Sequence, residues 1–410
     1  MGSTTSRLWF AFNPRGVAKS EGALRFGILG VANIVPLALL LPAKSHPEVI
    51  VQAVSSRSRQ KAEAFAKKYR IPDVRGSYQE LIDDPDIDCV FIPLPNSLHY
   101  EWAVKALRKG KHVLLEKPSV ANSVEAEALF RNHRGLPDGR PVLMEAFHNR
   151  FHPAWAPFER LVDTENVVHV RARSMIPWWY THKDDICFNY GLAGGAMMHM
   201  GTYGFAALRT VFGAEPEECV SCDVDIFKGN THAEDKIDKS FKASFRFPNG
   251  GTGVAESTLC GPTVWTPSCV TVKHRECVVP DETLPASRQK VRIREVRFHG
   301  FIHAVAWHRL DVFDTFEIRE GSVTVKRWRE KSSHTAYGGD DEINGEKWWM
   351  SYRYQLEEFV NRIKGRETRA WIEAEDSVAQ MKMIDLAYEK SGLGRRKTSA
   401  CVEGGLAEGS

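Results

Sequence analysis

No stretch of this 410-residue chain approaches the eighteen or so consecutive apolar residues that a membrane span requires. The nearest candidate, residues 34–41, is too short and contains Pro36. Charge of one sign is missing as well. With 55 Lys and Arg against 52 Asp and Glu, the net charge of +3 is small and spread out, so a nucleic-acid groove is not expected. Cysteine pairs in metal-binding spacing are absent: of the eight cysteines, only Cys219 and Cys222 are close, and no second pair complements them. A chain of this length needs no disulfide staples, so reduced thiols are expected. His299, His303 and His308 lack a carboxylate partner at ligand spacing, and no metal is expected. The N-terminus has neither an apolar core segment nor a small-residue cleavage site, which argues against a secretory signal and for a cytoplasmic protein. Residues 1–6 fit the permissive myristoylation pattern, or form a plain frayed arm. There is no internal repeat and no low-complexity linker.

What is present is an ordinary soluble composition, 43% apolar and 26% charged, over a length of roughly two domains. Expected boundaries are an arm at 1–23, a nucleotide-binding unit at 24–147, a second unit at 148–398 and a disordered tail at 399–410. In the first unit short apolar runs at 24–29, 49–55, 88–94, 112–117 and 142–147 alternate with amphipathic segments, which predicts βαβ units and a parallel sheet. Asn122, with Glu125 three residues on, predicts a helix cap. Asn96 or Ser97 does the same for a helix burying Leu98, Trp102, Ala106 and Leu107.

Three places in that unit carry chemistry. Gly30-x-Ala32-x-x-Val35 follows the first strand and opens a helix, where small residues let backbone N–H groups approach a pyrophosphate. Alone the match is weak, since Ala32 and Val35 replace glycines. The second strand ends in Ser55-Ser56-Arg57, with no acid for a ribose 2′-hydroxyl. A hydroxyl and a guanidinium suit a 2′-phosphate, so NADP is favoured over NAD; otherwise Arg57 merely begins a solvated helix. Finally, His112-Val113-Leu114-Leu115-Glu116-Lys117-Pro118 drives an apolar strand into a lysine and a proline. Pro118 cannot continue the strand, so Lys117 sits at its carboxyl end, the edge at which open α/β sheets bind ligands. A strand that simply ends in polar residues is the plainer alternative.

Beyond residue 148 the periodicity changes. Strand patterns at 167–175, 221–227, 239–247, 253–259, 268–272, 291–298, 315–319 and 323–328, with a hairpin signal at Asn249-Gly250-Gly251, predict a large, mostly antiparallel sheet in an α+β unit. Helices over 348–363 and 373–390 close the chain. Within 189–204, Gly194-Gly195 precedes an apolar helix on which His199 and Tyr203, four residues apart, share a face. Two titratable groups there suggest a site, or a hydrogen-bonded core pair. Trp178, Trp179 and Tyr180 offer aromatic walls for a sugar or aryl-diol face, or else belong to the core.

Gly27-Ile28-Leu29-Gly30-Val31-Ala32-Asn33-Ile34, then Ile92-Pro93-Leu94-Pro95-Asn96-Ser97-Leu98-His99, then Glu116-Lys117-Pro118 resemble the Gfo/Idh/MocA oxidoreductases, especially the group of dimeric dihydrodiol dehydrogenases and NADP-dependent D-xylose 1-dehydrogenases. The resemblance runs from residue 24 to about 398. It implies a Rossmann domain followed by an α+β domain, an NADP cofactor, a small-molecule substrate and a homodimer formed through the second sheet. It assigns cofactor contacts to Gly30, Ala32, Asn33, Ile34, Ser56, Arg57, Pro93, Leu94, Asn96, His99, Glu116 and Lys117. Catalysis falls to Lys117 and Tyr203, with the lysine's charge easing ionisation of the tyrosine, and His199 as their companion. His199 departs from the family pattern, because an aspartate usually stands there. A neutral imidazole accepts a proton but supplies no fixed negative charge. A sugar 1-dehydrogenase, a reductase of a dihydrodiol or specialised metabolite, and a non-catalytic NADP-binding protein are the readings to separate.

Overall fold

Apolar strands alternating with amphipathic helices bury both sheet faces when the strands run parallel. In the computed structural model, which describes residues 4–134, 141–229, 236–262, 266–304, 307–337 and 345–403, the first half does so. Strands β1 (Leu24–Leu29), β2 (Val49–Ser55), β3 (Asp73–Arg75), β4 (Cys89–Ile92), β5 (His112–Glu116) and β6 (Leu143–Ala146) form a parallel sheet in the order β3-β2-β1-β4-β5-β6. The order reverses between β1 and β4, and the chain leaves those two ends in opposite directions, opening a crevice.

Helix α1 (Thr4–Phe12) precedes the sheet, and α2 (Leu41–Lys44), α3 (Arg59–Tyr69), α4 (Tyr78–Asp83), α5 (His99–Arg108) and α6 (Ser123–Arg134) connect its strands. Ser58, Ser77 and Asn122 each accept a backbone N–H as caps, the last from Glu125 as expected. A π-helical turn, Pro36–Leu40, leads into α2. Pro42 has no N–H to give to the carbonyl four residues back and its ring would crowd that oxygen, so a wider turn relieves the clash. In α5 the buried face is Tyr100, Ala103, Ala106 and Leu107, whereas Leu98 and Trp102 are only half-buried. The short β3 and α4, at three and six residues, span fewer than two periods of their patterns and leave too little repetition to detect.

The second half contains α7 (Trp155–Leu161), β7 (Val167–Pro177), α8 (Thr202–Phe212), β8 (Glu218–Ile226), β9 (Asp238–Arg246), β10 (Thr252–Gly261), β11 (Cys269–His274), β12 (Cys277–Val279), β13 (Arg288–His299), β14 (Arg309–Glu320) and β15 (Val323–His334). These strands make one nine-stranded sheet in the order β15-β14-β13-β11-β7-β10-β9-β8, with β12 beside β13. Every pairing is antiparallel except β7 with β10. The expected hairpin joins β9 to β10, with Gly250 at φ 78°. Strands β14 and β15 outrun their apolar patterns, because their charged residues stand on a solvated face while the backbone pairing continues.

Helices α9 (Ser351–Ile363), α10 (Ala374–Lys390) and α11 (Ala400–Glu403) close the described chain. These helices touch both units: Phe359 of α9 lies against Phe26 of β1, at 6.0 Å between ring centroids, and α10 packs on α6 as well as on β8 and α8. The tail differs from expectation. Asn122 donates to the Arg396 carbonyl and to Thr398 Oγ1, and the Ser399 N–H donates to Glu125 Oε1 at 2.7 Å, so the chain is ordered to Glu403. At the other end the frayed arm is a helix, with Phe10 6.4 Å from Trp348 and Arg7 over Tyr337 at 4.5 Å. The start of the myristoylation pattern, residues 1–3, lies outside the described residues. Among the described residues no helix is long and apolar enough to cross a membrane.

Candidate active site

The crevice begins at Gly30, whose φ of 102° is closed to most side chains. A Cβ there would press on Leu94 at 3.0 Å, so the glycine serves both a backbone turn and a close approach. Its N–H donates to the Ser55 carbonyl at 2.7 Å, which ties the turn to the end of β2. Ala32, Asn33 and Ile34 lead into the helical turn, with Asn33 exposed and the others half-buried. At the end of β2, Ser56 is half-buried and Arg57 is exposed, beside the turn. Tyr78, which the sequence did not single out, anchors this corner by a hydrogen bond to the backbone of Arg57. Pro93 and Leu94 continue β4, and Leu94 packs on Gly30.

His99, expected as a cofactor contact, has a bracing part in the structure. It is fully buried, with Nε2 2.7 Å from the Leu94 carbonyl and Nδ1 3.0 Å from that of Pro118. Both nitrogens are occupied, so it braces the ends of β4 and β5 together. Burial lowers its pKa to about 4. Asn96 likewise braces, donating to the Ala193 carbonyl at 3.0 Å and fastening the glycine-rich segment to the crevice.

Lys117 emerges at the end of β5, half-buried. Its Nζ donates to the His199 carbonyl at 2.8 Å and stands 4.8 Å from the Tyr203 ring centroid. Burial lowers its pKa, opposed by the nearby carboxyls of Glu116 and Glu145. Those two acids are buried, and burial raises each to about 7. Glu116 Oε2 accepts the Lys117 N–H, but its Oε1 is buried with no partner.

The facing wall is the 189–203 segment. Gly195 has a φ of 128°, and a Cβ there would overlap Asp238. A Cβ on Gly194 would crowd the Cys187 carbonyl at 2.6 Å. Gly194 is therefore required by the neighbouring backbone, and Gly195 by close packing on an ion pair, Arg396 to Asp238 at 2.8 Å, both fully buried. Asp238 also accepts from Tyr388 Oη and from the Met197 N–H, which fixes the start of the next turn. That turn, Met197–Gly201, is π-helical and runs into α8. Such turns interrupt the regular carbonyl ladder and recur at functional sites.

Here His199 and Tyr203 do come together beside Lys117, in an arrangement the spacing did not reveal. His199 offers its backbone carbonyl to Lys117, and its half-buried imidazole has no hydrogen-bond partner among the described residues. Burial, with help from Lys117, lowers its pKa to about 3, so it is neutral at ordinary pH. The phenol of Tyr203 is buried and hydrogen-bonded to His148 Nε2 at 2.8 Å. Burial raises its pKa well above the usual value. The Lys117 ammonium sits over the ring and donates to the His199 carbonyl, while burial favours the protonated phenol. His148 itself follows β6 as Lys117 follows β5. A histidine at the carboxyl end of a parallel strand was the signal available in the sequence.

Trp178, Trp179 and Tyr180 are 58%, 48% and 62% exposed, which removes the core reading of all three. Tyr180 is near enough to Tyr352 to raise its pKa further, and Tyr352 stacks on His148 at 4.0 Å. The aromatic segment therefore reaches the same cleft. Among the described residues no cluster of His, Cys, Asp or Glu is arranged to hold a metal.

Known proteins share this layout. Residues 24–135 match an oxidoreductase family described as having an NAD-binding Rossmann fold, and residues 164–273 match the Gfo/Idh/MocA C-terminal domain. The chain belongs to the Gfo/Idh/MocA oxidoreductase family. Within it, the chain is 29% identical over 384 residues to D-xylose 1-dehydrogenase (NADP(+)) 2 of Haloferax volcanii, covering 93% of this chain and 99% of that one. It is 29% identical over 268 residues to trans-1,2-dihydrobenzene-1,2-diol dehydrogenase of Xenopus tropicalis, covering 60% and 77%. A dTDP-3,4-didehydro-2,6-dideoxy-alpha-D-glucose 3-reductase of Streptomyces violaceoruber is 37% identical over 206 residues, 49% of this chain and 58% of that one. Among solved structures, the 3-ketoreductase KijD10 of Actinomadura kijaniata with NADP and TDP-benzene aligns with a TM-score of 0.66 at 22% identity, over 90% and 97% of the two chains. That likeness establishes the two-domain Gfo/Idh/MocA fold.

Proposed function

We propose that this Gfo/Idh/MocA oxidoreductase is an NADP-dependent dehydrogenase that moves a hydride between nicotinamide and a hydroxyl-bearing carbon of a sugar. The observation that carries the reading is the meeting of Lys117 and Tyr203, from opposite walls of the cleft, at the carboxyl edge of the parallel sheet. The crevice fits a nicotinamide dinucleotide in two respects: Gly30 leaves a cradle that a Cβ would fill, and Glu116 Oε1 is a buried acceptor awaiting a donor such as a carboxamide N–H. Gly30, Ala32, Asn33, Ile34, Pro93, Leu94 and Asn96 line the dinucleotide path, and Ser56 with Arg57 would take the 2′-phosphate. When bound, the cofactor supplies the hydride acceptor or donor. Tyr203 carries a phenol proton where the substrate oxygen must gain or lose one. Lys117 holds a positive charge beside that oxygen and fixes the π-helical turn through the His199 carbonyl. His199 lines the cleft as a neutral imidazole in place of the usual acid.

The sugar reading is supported by the Haloferax relative, which aligns along nearly its whole length. The exposed Trp178, Trp179 and Tyr180 favour a second reading, an aryl-diol or specialised-metabolite dehydrogenase, since flat apolar faces stack on such rings. Following NADPH absorbance against aldoses, polyols and aryl diols separates the two. No turnover with any of them, in a protein that still binds NADP, would leave the non-catalytic reading. His199→Asp in the same assay reports whether the histidine redirects the site. A homodimer through the outer face of the second sheet fits its long exposed edge strand, β15, where Val323 and Val325 are open to solvent. Eight cysteines without a disulfide suit a reducing compartment, the cytoplasm.

A further inference from the structure

We infer that His148 is the proton acceptor behind Tyr203, its Nε2 taking the phenol proton as Tyr203 takes the proton of the substrate hydroxyl. This rests on the reading of Lys117 and Tyr203 as the reaction site, and goes beyond it by assigning a second proton carrier on the far side of the phenol. His148 acts through Tyr203 and does not touch the substrate.

The geometry points to this for four reasons. First, His148 is fully buried yet both ring nitrogens are engaged, Nε2 with Tyr203 Oη and Nδ1 with Ser351 Oγ, each at 2.8 Å. Second, those contacts select a direction. A phenol is a far stronger acid than a neutral imidazole N–H, so Tyr203 donates, Nε2 accepts, and the proton on Nδ1 is given to Ser351. Third, the ring is clamped, stacked on Tyr352 at 4.0 Å and on His303 at 5.5 Å with an interplanar angle of 17°. Fourth, His199 is no alternative, because its imidazole has no bond to Tyr203 and only its carbonyl joins the network.

The groups facing His148 explain why it waits empty. Lys117 comes from the end of β5, His303 from the loop after β13, His152 from its own turn, and Tyr203 and Tyr352 from α8 and α9. Burial first, then His303, Lys117 and His152, push its pKa well below the ordinary value, so the resting ring is a neutral acceptor. Among the acids, Glu116 acts on Tyr203 and Tyr352. In the oxidation the substrate C–H electron pair leaves as hydride to the nicotinamide, and the C=O bond forms. The hydroxyl proton passes to Tyr203 Oη, and the proton already there passes to His148 Nε2. Reduction runs the same transfers backwards, with His148 returning the proton. No other reactant is consumed.

His148→Gln keeps a hydrogen-bonding side chain but cannot store a proton. Assayed on the substrate found in the NADPH panel, it should lower kcat about 10²-fold, the ordinary worth of a general acid–base group, with KM and NADP affinity within about twofold. The acid limb of the kcat pH profile should vanish with it. In parallel, histidine-selective ¹⁵N NMR of the wild-type chain should show one buried imidazole with unprotonated, hydrogen-bonded Nε2 and protonated Nδ1, whose Nε2 shift moves in Tyr203→Phe. This measurement needs neither turnover nor a folded His148 variant. The Nε2–H tautomer in the NMR would overturn the inference, as would a wild-type kcat and pH profile in His148→Gln when Tyr203→Phe is inactive. If Tyr203→Phe and Lys117→Ala both stay active, it is the site assignment that falls instead.

Discussion

The two walls of the cleft are held by opposite means. The first wall consists of the carboxyl ends of β1, β2, β4 and β5, and its positions follow from sheet register and short-range turns. The second wall, the glycine pair and the π-helical turn before α8, is set by contacts that cross the chain. Arg396 reaches back 158 residues to Asp238, which in turn orders the N–H of Met197. The proposed chemistry needs both, because Lys117 belongs to the first wall and Tyr203 to the second. A parallel sheet presents a lysine at its edge with little further help, whereas a tyrosine on a helix must be located by whatever holds that helix. Function here depends on a rigid edge meeting a pinned segment.

Breaking the chemical contact should have the largest effect. Lys117→Ala should lower turnover by about 10³-fold or more, the scale of losing a charged group aimed at the reacting oxygen. Cofactor affinity should change little, since the 2′-phosphate and pyrophosphate contacts lie elsewhere. NADPH absorbance and a fluorescence titration measure the two quantities, and wild-type turnover in this variant would remove Lys117 from the mechanism. Next comes the pin of the second wall. Asp238→Ala leaves the Arg396 guanidinium buried without its partner, at a cost of about 3–5 kcal/mol. Urea unfolding should register that loss, and a midpoint unchanged from wild type would show that the segment is held some other way. A smaller, selective effect is expected at the first wall. Arg57→Ala should weaken NADP by about 10- to 100-fold, as for a hydrogen bond to a charged group, and leave NAD nearly untouched. Equal losses for the two nucleotides would count against the 2′-phosphate assignment.

The same division explains what could be read before the fold was known. The parallel sheet, the turn at Gly30, the solvated Arg57 and the strand-end Lys117 follow from patterns a few residues long, and each lies where its local chemistry requires. His99 looked like a ligand contact because it stands in the same loop, yet only the three-dimensional approach of Leu94 and Pro118 occupies its nitrogens. Ser351, Asp238 and Arg396 left no local trace, and of His148 only its place after a strand could be seen, since their roles come from partners far along the chain. The glycine pair was visible, but its reason was not: a Cβ at Gly195 collides with a carboxylate more than forty residues on. The chain after Thr398 reads as disordered by composition, yet its described part, residues 399–403, starts on the Ser399 bond to Glu125, next to the bond that Asn122 gives Thr398.

Glu145 offers the finest test, because it is a buried acid on the strand beside that of Lys117. Its Oε1 accepts the Ser119 N–H next to β5, and its side chain is buried. Burial raises its pKa from 4.5 to about 7 in the folded chain. Between those values the folded state holds a proton that the unfolded state has lost, so this group's contribution to stability falls as pH rises from about 4.5 to about 7 and is level above that. Glu145→Gln keeps an acceptor for Ser119 and removes the titration. The variant should therefore gain on wild type as pH rises, by on the order of 1 kcal/mol between pH 5 and pH 8. Thermal unfolding across that range reads the difference directly. If the gap between the two proteins stays constant, Glu145 is already ionised at pH 5, and burial does not hold its proton.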